Sequence, residues 1–482
     1  MSIDLKNLTI NKAHEDLLAK RYTVLALTEA YLENIKIKNP SIHAYLEVFG
    51  DIAEQAKIAQ NLIDEGKASL LTGIPFAIKD NILISGKIAS ASSKMLEKYH
   101  ATYDATVIKK LKNAGAIFLG RTNMDEFAMG GSTEKSAFGT THNPHDLERV
   151  PGGTSGGSAA TVIADMALVA LGSDTGGSIR QPSAFCGTVG LKPTYGAVSR
   201  YGLISAVSSF DQIGPIAKTV TDVEVVFNTI RGLDSHDSTT FPSETYSDKK
   251  DFSDKNVKKP IIGIPRKFLQ LGGIDARVKD NFAEVEERFK KLGYTIMDID
   301  LPNNQFALPV YYILNFAEVS SNLARFDGVK YGLHVDGKNS IDDYFATRAE
   351  GFGKEARRRI LLGTYVLSSG YYDAYYNKAN ALRKVITKDF TDAFAQVDVV
   401  LTPTTPTPAF KIDEKSDDPL SMYLADIFTV TANLTGMPAI SIPSGFAVEE
   451  GGVSLPLGIQ MTATHGREEL LFGLGKDFLG EK

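Results

Sequence analysis

Residues 151–196 read PGGTSGGSAATVIADMALVALGSDTGGSIRQPSAFCGTVGLKPTYG, in which two glycine-rich loops flank a run of small and apolar residues. The run at 158–170 predicts a small-residue helix that leads toward a short strand. The segment that follows, 171–182, predicts a glycine-rich turn into a further element. A loop, a helix, a strand and a second loop in this order are typical of an α/β protein.

Helix and strand patterns alternate along the rest of the chain. Residues 1–70 have apolar positions at helical spacing, and LTGIPFAIKD (71–80) predicts a short buried strand. Residues 259–302 predict a strand–helix–strand unit. These mixed patterns predict an α/β protein with one large sheet.

Two local signals bound a helix and a surface connection. Thr221, followed three residues later by Glu224, forms a capping-box pattern for a helix over 219–230. Residues 232–258 are polar and rich in turn-forming types, which favours a surface connection.

Composition excludes several classes of function. The 482 residues carry a net charge of −6 and form no long basic run, so we expect no nucleic-acid footprint on this chain. The one cysteine, Cys186, allows no intrachain disulfide, and the eight histidines form no HExxH pair, so we expect no metal site. No signal sequence or membrane-spanning run is present, and we expect a cytoplasmic protein without membrane contact.

The glycine-rich loops are typical of three kinds of site. A Ser-His-Asp hydrolase is disfavoured because the histidines nearest the glycine-rich region, His142 and His145, lie in a polar turn. A phosphate cradle is disfavoured because GGTSGGSAA lacks the Gly-Lys-Ser/Thr ending. A serine nucleophile served by a lysine is the third possibility.

A serine–lysine site needs an amine able to be neutral, a hydroxyl relay and backbone donors beside the nucleophile. Lys79 ends an apolar strand, where desolvation lowers the pKa of an ammonium group. Ser178 lies in a glycine-rich turn whose amides could converge on an oxyanion, and the first loop offers two hydroxyls. Taken singly, such a lysine is more often a solvated strand end and such a turn more often a connection. The residues in question are Lys79, Thr154, Ser155, Thr175, Gly176, Gly177 and Ser178.

Longer motifs add a family resemblance. The segment 151–196, together with GIPFAIKDNI (73–82) and SSFDQIGPIAKTVTD (208–222), resembles the amidase signature family. Further similarity, to the A subunits of tRNA-dependent amidotransferases within that family, lies in the segments 125–139, 317–332, 351–379 and 423–443. The resemblance implies a single α/β domain over 1–482 with a central mixed sheet surrounded by helices. Its parts would be a helical N-terminal region (about 1–70), a signature core (about 71–230) and a C-terminal half (about 259–482) that completes the sheet and the substrate pocket.

The resemblance also implies roles for individual residues. Ser178 would be the nucleophile, Lys79 the base, and the relay a residue of the first loop with a cis peptide bond. Family members have a serine at the relay position, 24 residues before the nucleophile, where this chain has Thr154; Ser155 is the alternative. Amides of Thr175 to Ser178 would form the oxyanion hole. The substrate pocket would include Arg358 for a carboxylate, Asp426 for an amino group, one of Tyr311 and Tyr312, and the main chain of Met129, Gly130, Gly131 and Ser132.

The implied reaction is hydrolysis of the glutamine side-chain amide. The ammonia would convert misacylated Glu-tRNA(Gln), or Asp-tRNA(Asn), to the amidated form in a heterotrimer with the B and C subunits. The B subunit would bind the tRNA and use ATP and Mg²⁺, while this chain would bind no cofactor. A stand-alone amidase acting on a small or aryl amide and a non-catalytic scaffold are the alternatives. Cys186 is interpreted as a core residue.

Overall fold

A central mixed sheet organises the protein. The computed structural model describes residues 3–245, 259–270, 273–415 and 418–481, and in these residues eleven strands form one sheet in the order β1-β3-β2-β4-β6-β5-β10-β11-β9-β7-β8. The strands are β1 Tyr45–Val48, β2 Pro75–Lys79, β3 Ile117–Thr122, β4 Val169–Asp174, β5 Val189–Lys192, β6 Gln212–Ala217, β7 Ile261–Ile264, β8 Thr295–Asp298, β9 Val399–Pro403, β10 Ala439–Val448 and β11 Ser454–Ala463.

Helices cover the sheet. They are α1 Ile10–Leu18, α2 Val24–Ile42, α3 Ile52–Asp64, α4 Thr106–Asn113, α5 Gly156–Ile163, α6 Arg180–Cys186, α7 Val220–Ile230, α8 Arg266–Leu269, α9 Ala276–Lys291, α10 Ala307–Asn322, α11 Ser340–Gly351, α12 Lys354–Val366, α13 Lys378–Phe394, α14 Pro419–Leu424, α15 Val430–Thr435 and α16 Glu468–Leu479. Every residue of β2, β4 and β6 is buried. Because strands buried on both faces need cover on both sides, the apolar runs seen in the sequence become the centre of the molecule.

The sheet is mixed, as expected. β2 runs parallel to β3 and β4, whereas β6 is antiparallel to both β4 and β5. The strand–helix–strand unit is present as β7, α9 and β8, and β7 and β8 are parallel. The predicted α/β class with a central mixed sheet and surrounding helices is confirmed.

The N-terminal region is not wholly helical, which corrects the expectation for residues 1–70. Tyr45–Val48 forms the edge strand β1, antiparallel to β3. Helical spacing on either side of this short segment masked it, and its pairing is set by β3, more than 70 residues later in the chain.

The cap of α7 also differs from the expectation. Thr219 is the N-cap, and its hydroxyl accepts a hydrogen bond from the Asp222 amide at 3.1 Å. The Thr221 hydroxyl instead donates to Glu481 at 2.9 Å. The Thr221 hydroxyl is therefore bonded to Glu481, a residue 260 positions later in the sequence, and does not cap the helix as the capping-box pattern predicted. Of the polar connection expected at 232–258, residues 246–258 lie outside the described residues.

Helices α10 and α12 pack closely because of one glycine. A Cβ atom built on Gly363 of α12 would overlap the carbonyl oxygen of Phe316 in α10. These two helices carry Tyr311, Tyr312 and Arg358, so their separation determines the geometry of one wall of the site described below.

We expect Gly363→Ala to lower the free energy of unfolding by about 1–3 kcal/mol, because the helices must move apart or strain. Gly473→Ala is the matched control: Gly473 is an exposed helical residue of α16 with no atom within 4 Å of an added Cβ. That change should raise the free energy of unfolding by about 0.5–1 kcal/mol, since alanine is the better helix former. Chemical denaturation measures both, and equal effects would contradict the packing argument.

Candidate active site

Lys79 is an amine buried at the carboxyl end of β2. It is fully buried, and its Nζ lies 2.7 Å from Thr154 Oγ1, 2.8 Å from Ser155 Oγ and 3.0 Å from Ser173 Oγ. Burial lowers the pKa of this amine from 10.5 to about 7, against the opposing effect of buried carboxylates nearby. A substantial share of Lys79 is therefore neutral near pH 7, as a general base requires.

The first glycine-rich loop brings both of its hydroxyls to Lys79. Gly152 and Gly153 have φ values of +86° and +51°, a region that favours glycine, and they turn the chain ahead of α5. The Ser155 hydroxyl lies 3.0 Å from the Ser173 carbonyl oxygen, to which it donates. The hydroxyl proton of Ser155 is thus committed to the backbone, whereas within the described residues the Thr154 hydroxyl has Lys79 as its one hydrogen-bond partner.

The expected cis peptide bond is not found in the described residues, where every peptide bond is trans. The trans form is favoured by about 3 kcal/mol for a non-proline residue. The two left-handed glycines already direct the Thr154 hydroxyl to Lys79 with trans geometry.

Ser178 lies in the second loop, between β4 and α6, and is 8% exposed. Its hydroxyl makes no hydrogen bond in the part of the chain that the structure describes, and its carbonyl oxygen accepts from the Ser155 amide at 3.1 Å. That backbone contact joins the two loops, so the nucleophile candidate is held beside the hydroxyls that surround Lys79.

Three of the four amides expected in the oxyanion hole are available. Within the described residues the N–H groups of Thr175, Gly176 and Ser178 have no hydrogen-bond acceptor. The Gly177 amide instead donates to Asp174 Oδ1 at 2.9 Å, which conflicts with its expected place in the hole. The carboxylate of Asp174 lies at the start of the turn and takes the amide that points back toward it.

An ion pair fixes this second loop. Arg180 donates to both carboxylate oxygens of Asp174, at 2.9 and 3.1 Å, and both side chains are fully buried. Burial by itself would raise the pKa of Asp174, but the guanidinium group overcomes that effect and holds the pKa below its usual range. Arg180 also reaches the C-terminal half of the chain, donating to Thr429, Asn433 and Gln460.

The segment Met129–Ser132 lies against the first loop. The Gly153 amide donates to the Gly131 carbonyl at 3.1 Å. Asp125 holds the segment in place by accepting from the amides of Ser132 and Thr133 at 3.3 and 2.9 Å. Asp125 was missed in the sequence because its donors lie in a turn whose shape only the fold determines.

Both tyrosines lie at the site, with different contacts. A Cβ atom on Gly176 would overlap the Tyr311 hydroxyl, so Tyr311 covers the nucleophile loop. The Tyr312 hydroxyl donates to Asp426 Oδ2 at 2.8 Å. Burial raises the pKa of Asp426 to about 7, against the hydrogen bond from Tyr312.

Arg358 lines a small cavity together with Gly130, Gly131 and Ser132. Its Nε lies 3.0 Å from Glu355 and its Nη2 donates to Tyr423 at 2.7 Å. In the described residues Nη1 has no acceptor and remains available to a ligand. The neighbouring Arg359, which sequence reasoning missed, is the more buried of the two and stacks over Tyr312; no local signal separates adjacent arginines.

The remaining candidates lie elsewhere. Cys186 is buried, its thiol donates to the Pro151 carbonyl, and burial raises the pKa of the thiol well above its usual range. His142 contacts the Leu147 carbonyl, and His145 contacts the carbonyl of Cys186 at the end of α6. Across the described ranges no three metal-ligating side chains gather as a metal site would require, and none of the helices has the length and apolar character to cross a membrane.

Comparisons with known proteins agree with this geometry. A family model described as Amidase matches residues 26–472. The A subunit of the glutamyl-tRNA(Gln) amidotransferase of Ruminiclostridium cellulolyticum is 50% identical over 481 residues, covering 99% of this chain and 98% of the relative.

Solved structures of an amidotransferase A subunit and of an amidase are also similar to this chain. The structure of the A subunit of the glutamyl-tRNA(Gln) amidotransferase of Thermotoga maritima has a TM-score of 0.81 at 40% identity. The match covers 100% of this chain and 96% of the Thermotoga maritima chain. The peptide amidase of Stenotrophomonas maltophilia has a TM-score of 0.81 at 27% identity, with coverage of 99% and 97%. This chain therefore belongs to the amidase signature family and is an enzyme of the amidotransferase and amidohydrolase class.

Proposed function

We propose that this chain is the glutaminase subunit of a tRNA-dependent amidotransferase and that Ser178, Thr154 and Lys79 carry out the hydrolysis of glutamine. The observation that carries the proposal is the fully buried Lys79 amine, 2.7 Å from the Thr154 hydroxyl and beside a loop with open amides. Near full-length similarity to the A subunits of glutamyl-tRNA(Gln) amidotransferases supports the choice of substrate.

The reaction begins when the Ser178 hydroxyl attacks the side-chain amide carbon of glutamine, and its proton passes through the Thr154 hydroxyl to neutral Lys79. The amides of Thr175, Gly176 and Ser178 donate to the oxyanion that forms. Collapse of this intermediate returns the proton through Thr154 to the amide nitrogen, which leaves as ammonia. Water then attacks the acyl ester by the same relay, releasing glutamate and restoring Ser178.

Thr154 is the better relay of the two hydroxyls beside Lys79. A relay must receive a proton from the nucleophile and donate its own to the base. The single hydroxyl proton of Ser155 is directed to the Ser173 carbonyl at 3.0 Å. Ser155 therefore orients Lys79, to which it lies 2.8 Å away, while Thr154 transfers the proton.

The pocket suits an amino acid better than a neutral amide. Asp426 offers a carboxylate to an α-ammonium group, and Arg358 offers a free Nη1 to an α-carboxylate. A stand-alone amidase for aryl amides would have no use for two opposite charges at its site. Glutamine carries both charges and the reactive amide.

Ammonia must then reach an acceptor. We propose that the B and C subunits complete a heterotrimer, in which the B subunit recognises misacylated Glu-tRNA(Gln) or Asp-tRNA(Asn) and uses ATP with Mg²⁺. The net charge of −6 and the lack of a long basic run in this chain support tRNA binding by a partner.

Removing the nucleophile or the base should separate two activities of the heterotrimer. We expect Ser178→Ala and Lys79→Ala each to lower ammonia release from glutamine by about 10³-fold or more. Amidation of tRNA with added ammonium salt should continue, because the partner's chemistry is untouched. Ammonia release and amidated tRNA are measured in parallel, with Cys186→Ala as the control that keeps both. Loss of both activities in Ser178→Ala would indicate a structural role.

Substitutions at the two hydroxyls test the relay. Thr154→Ser should keep glutaminase activity, whereas Thr154→Val, which keeps the shape and removes the hydroxyl, should lower kcat by about 10²–10⁴-fold. Ser155→Ala should have a smaller effect, because it removes one contact of Lys79 and no proton carrier. Full activity of Thr154→Val would disprove the assignment.

The pH dependence follows from the pKa of Lys79, about 7. Because the base acts only when neutral, kcat for glutamine should rise with pH through about 7 and then level off. Asp426, whose pKa is also about 7, must be ionised to bind ammonium, so KM should fall over the same range. Asp426→Asn should keep the rise in kcat and lose the pH dependence of KM. A kcat that is flat from about pH 6 to 9 would contradict the role of Lys79.

A further inference from the structure

The peptide unit between Gly176 and Gly177 is held at both ends. Its carbonyl oxygen accepts from the Thr429 hydroxyl at 2.6 Å, and its N–H group donates to Asp174 at 2.9 Å. A trans peptide points these two groups in opposite directions, so each contact reinforces the other. Together they set the orientation of the flanking amides of Gly176 and Ser178.

The loop needs this restraint because glycine does not restrain itself. Gly177 has a φ of +131°, and neither glycine has a Cβ to limit rotation. The absence of side chains also lets Thr429 approach: a Cβ atom on Gly177 would overlap the Thr429 hydroxyl. Thr429 therefore fills the space that a side chain would occupy and supplies the hydrogen bond that fixes the peptide.

The same hydroxyl contacts the main chain of Asp426. Thr429 Oγ1 lies 3.1 Å from the Asp426 carbonyl oxygen, and the Thr429 amide donates to that oxygen at 3.0 Å. One hydroxyl proton is thus shared between the turn that carries Asp426 and the loop that carries Ser178. The Thr429 carbonyl in turn accepts from Arg180 at 2.8 Å, which anchors the residue from the other side.

We propose that Thr429 is a positioning residue that couples binding of the substrate's α-ammonium group at Asp426 to alignment of the oxyanion amides beside Ser178. The inference rests on the proposed glutaminase function. Movement of the Asp426 turn on binding ammonium changes how the Thr429 proton is shared, and the change reaches the Gly176–Gly177 peptide directly. An amide that lacks the α-amino group does not engage this coupling.

The test compares two substrates in the assembled heterotrimer. Glutaramate has the side-chain amide and the carboxylate of glutamine but no α-amino group. Thr429→Val should lower kcat for glutamine roughly 10-fold to 100-fold with little change in KM, because a buried carbonyl loses its donor. In Thr429→Val the ratio of kcat for glutamine to kcat for glutaramate should also fall. Thr429→Ser should restore both kcat and this ratio.

Thr435→Val is the matched control. Thr435 is a buried threonine at the C-terminal end of α15, the helix whose N-cap is Thr429, and its hydroxyl donates to the carbonyl of Thr431 at 2.8 Å. Thr435→Val should keep both kcat and the ratio. If Thr429→Val does not fold, Thr429→Ala removes the same hydroxyl without the branched side chain and serves in its place.

The outcomes separate the two proposals. A wild-type heterotrimer that releases no ammonia from glutamine overturns the glutaminase function and the coupling with it. If the wild type is active but the Thr429 variants slow both substrates equally, Thr429 is only structural and the coupling is wrong. Full kcat in Thr429→Val overturns it as well.

Discussion

The buried ion pair between Asp174 and Arg180 is the contact on which both loops of the site depend. Taking two charges out of water costs several kcal/mol per ion unless each finds further partners. The carboxylate accepts from amides of its own turn, and the guanidinium donates to groups of the C-terminal half. The hydrogen bonds that offset the desolvation of Asp174 therefore determine the shape of the turn that bears Ser178. The ion pair also ties this turn to α15 and β11, so the signature segment depends on the C-terminal half for its geometry.

At Lys79, too, the cost of burying a charge opposes the attraction of nearby opposite charges, but here the effect of burial is the larger one. In the described residues Lys79 has no ion pair at hydrogen-bonding distance, and desolvation dominates its pKa. The carboxylates that oppose desolvation, Asp125, Asp174 and Asp211, are all buried and each is fixed by loop donors. The carboxylates that hold the loops in place thus also raise the pKa of the Lys79 amine against the effect of burial. The same three carboxylates therefore influence both the shape of the loops and the pKa of Lys79.

The sequence predicts the parts of this protein that are encoded locally. Apolar runs indicated the buried strands, and the position of Lys79 after one run and of the Ser178 loop after another placed both at strand ends. The edge strand β1, the Thr219 cap and the commitment of the Gly177 amide could not be predicted. Each depends on a partner chosen by the fold, as when Glu481 takes the Thr221 hydroxyl. The pattern determines which residue types are available, whereas the tertiary contacts decide which of them bond.

Thr154 illustrates how a local departure can be tolerated. A β-branched residue has fewer accessible χ1 rotamers than serine, and its methyl group needs space. Here the residue is fully buried and its hydroxyl lies 2.7 Å from Lys79. The restriction then acts in favour of the relay, because a hydroxyl with fewer rotamers loses less entropy when it is held in line. Since Ser155 is occupied with the backbone, the loop keeps one mobile proton, and that proton belongs to the threonine.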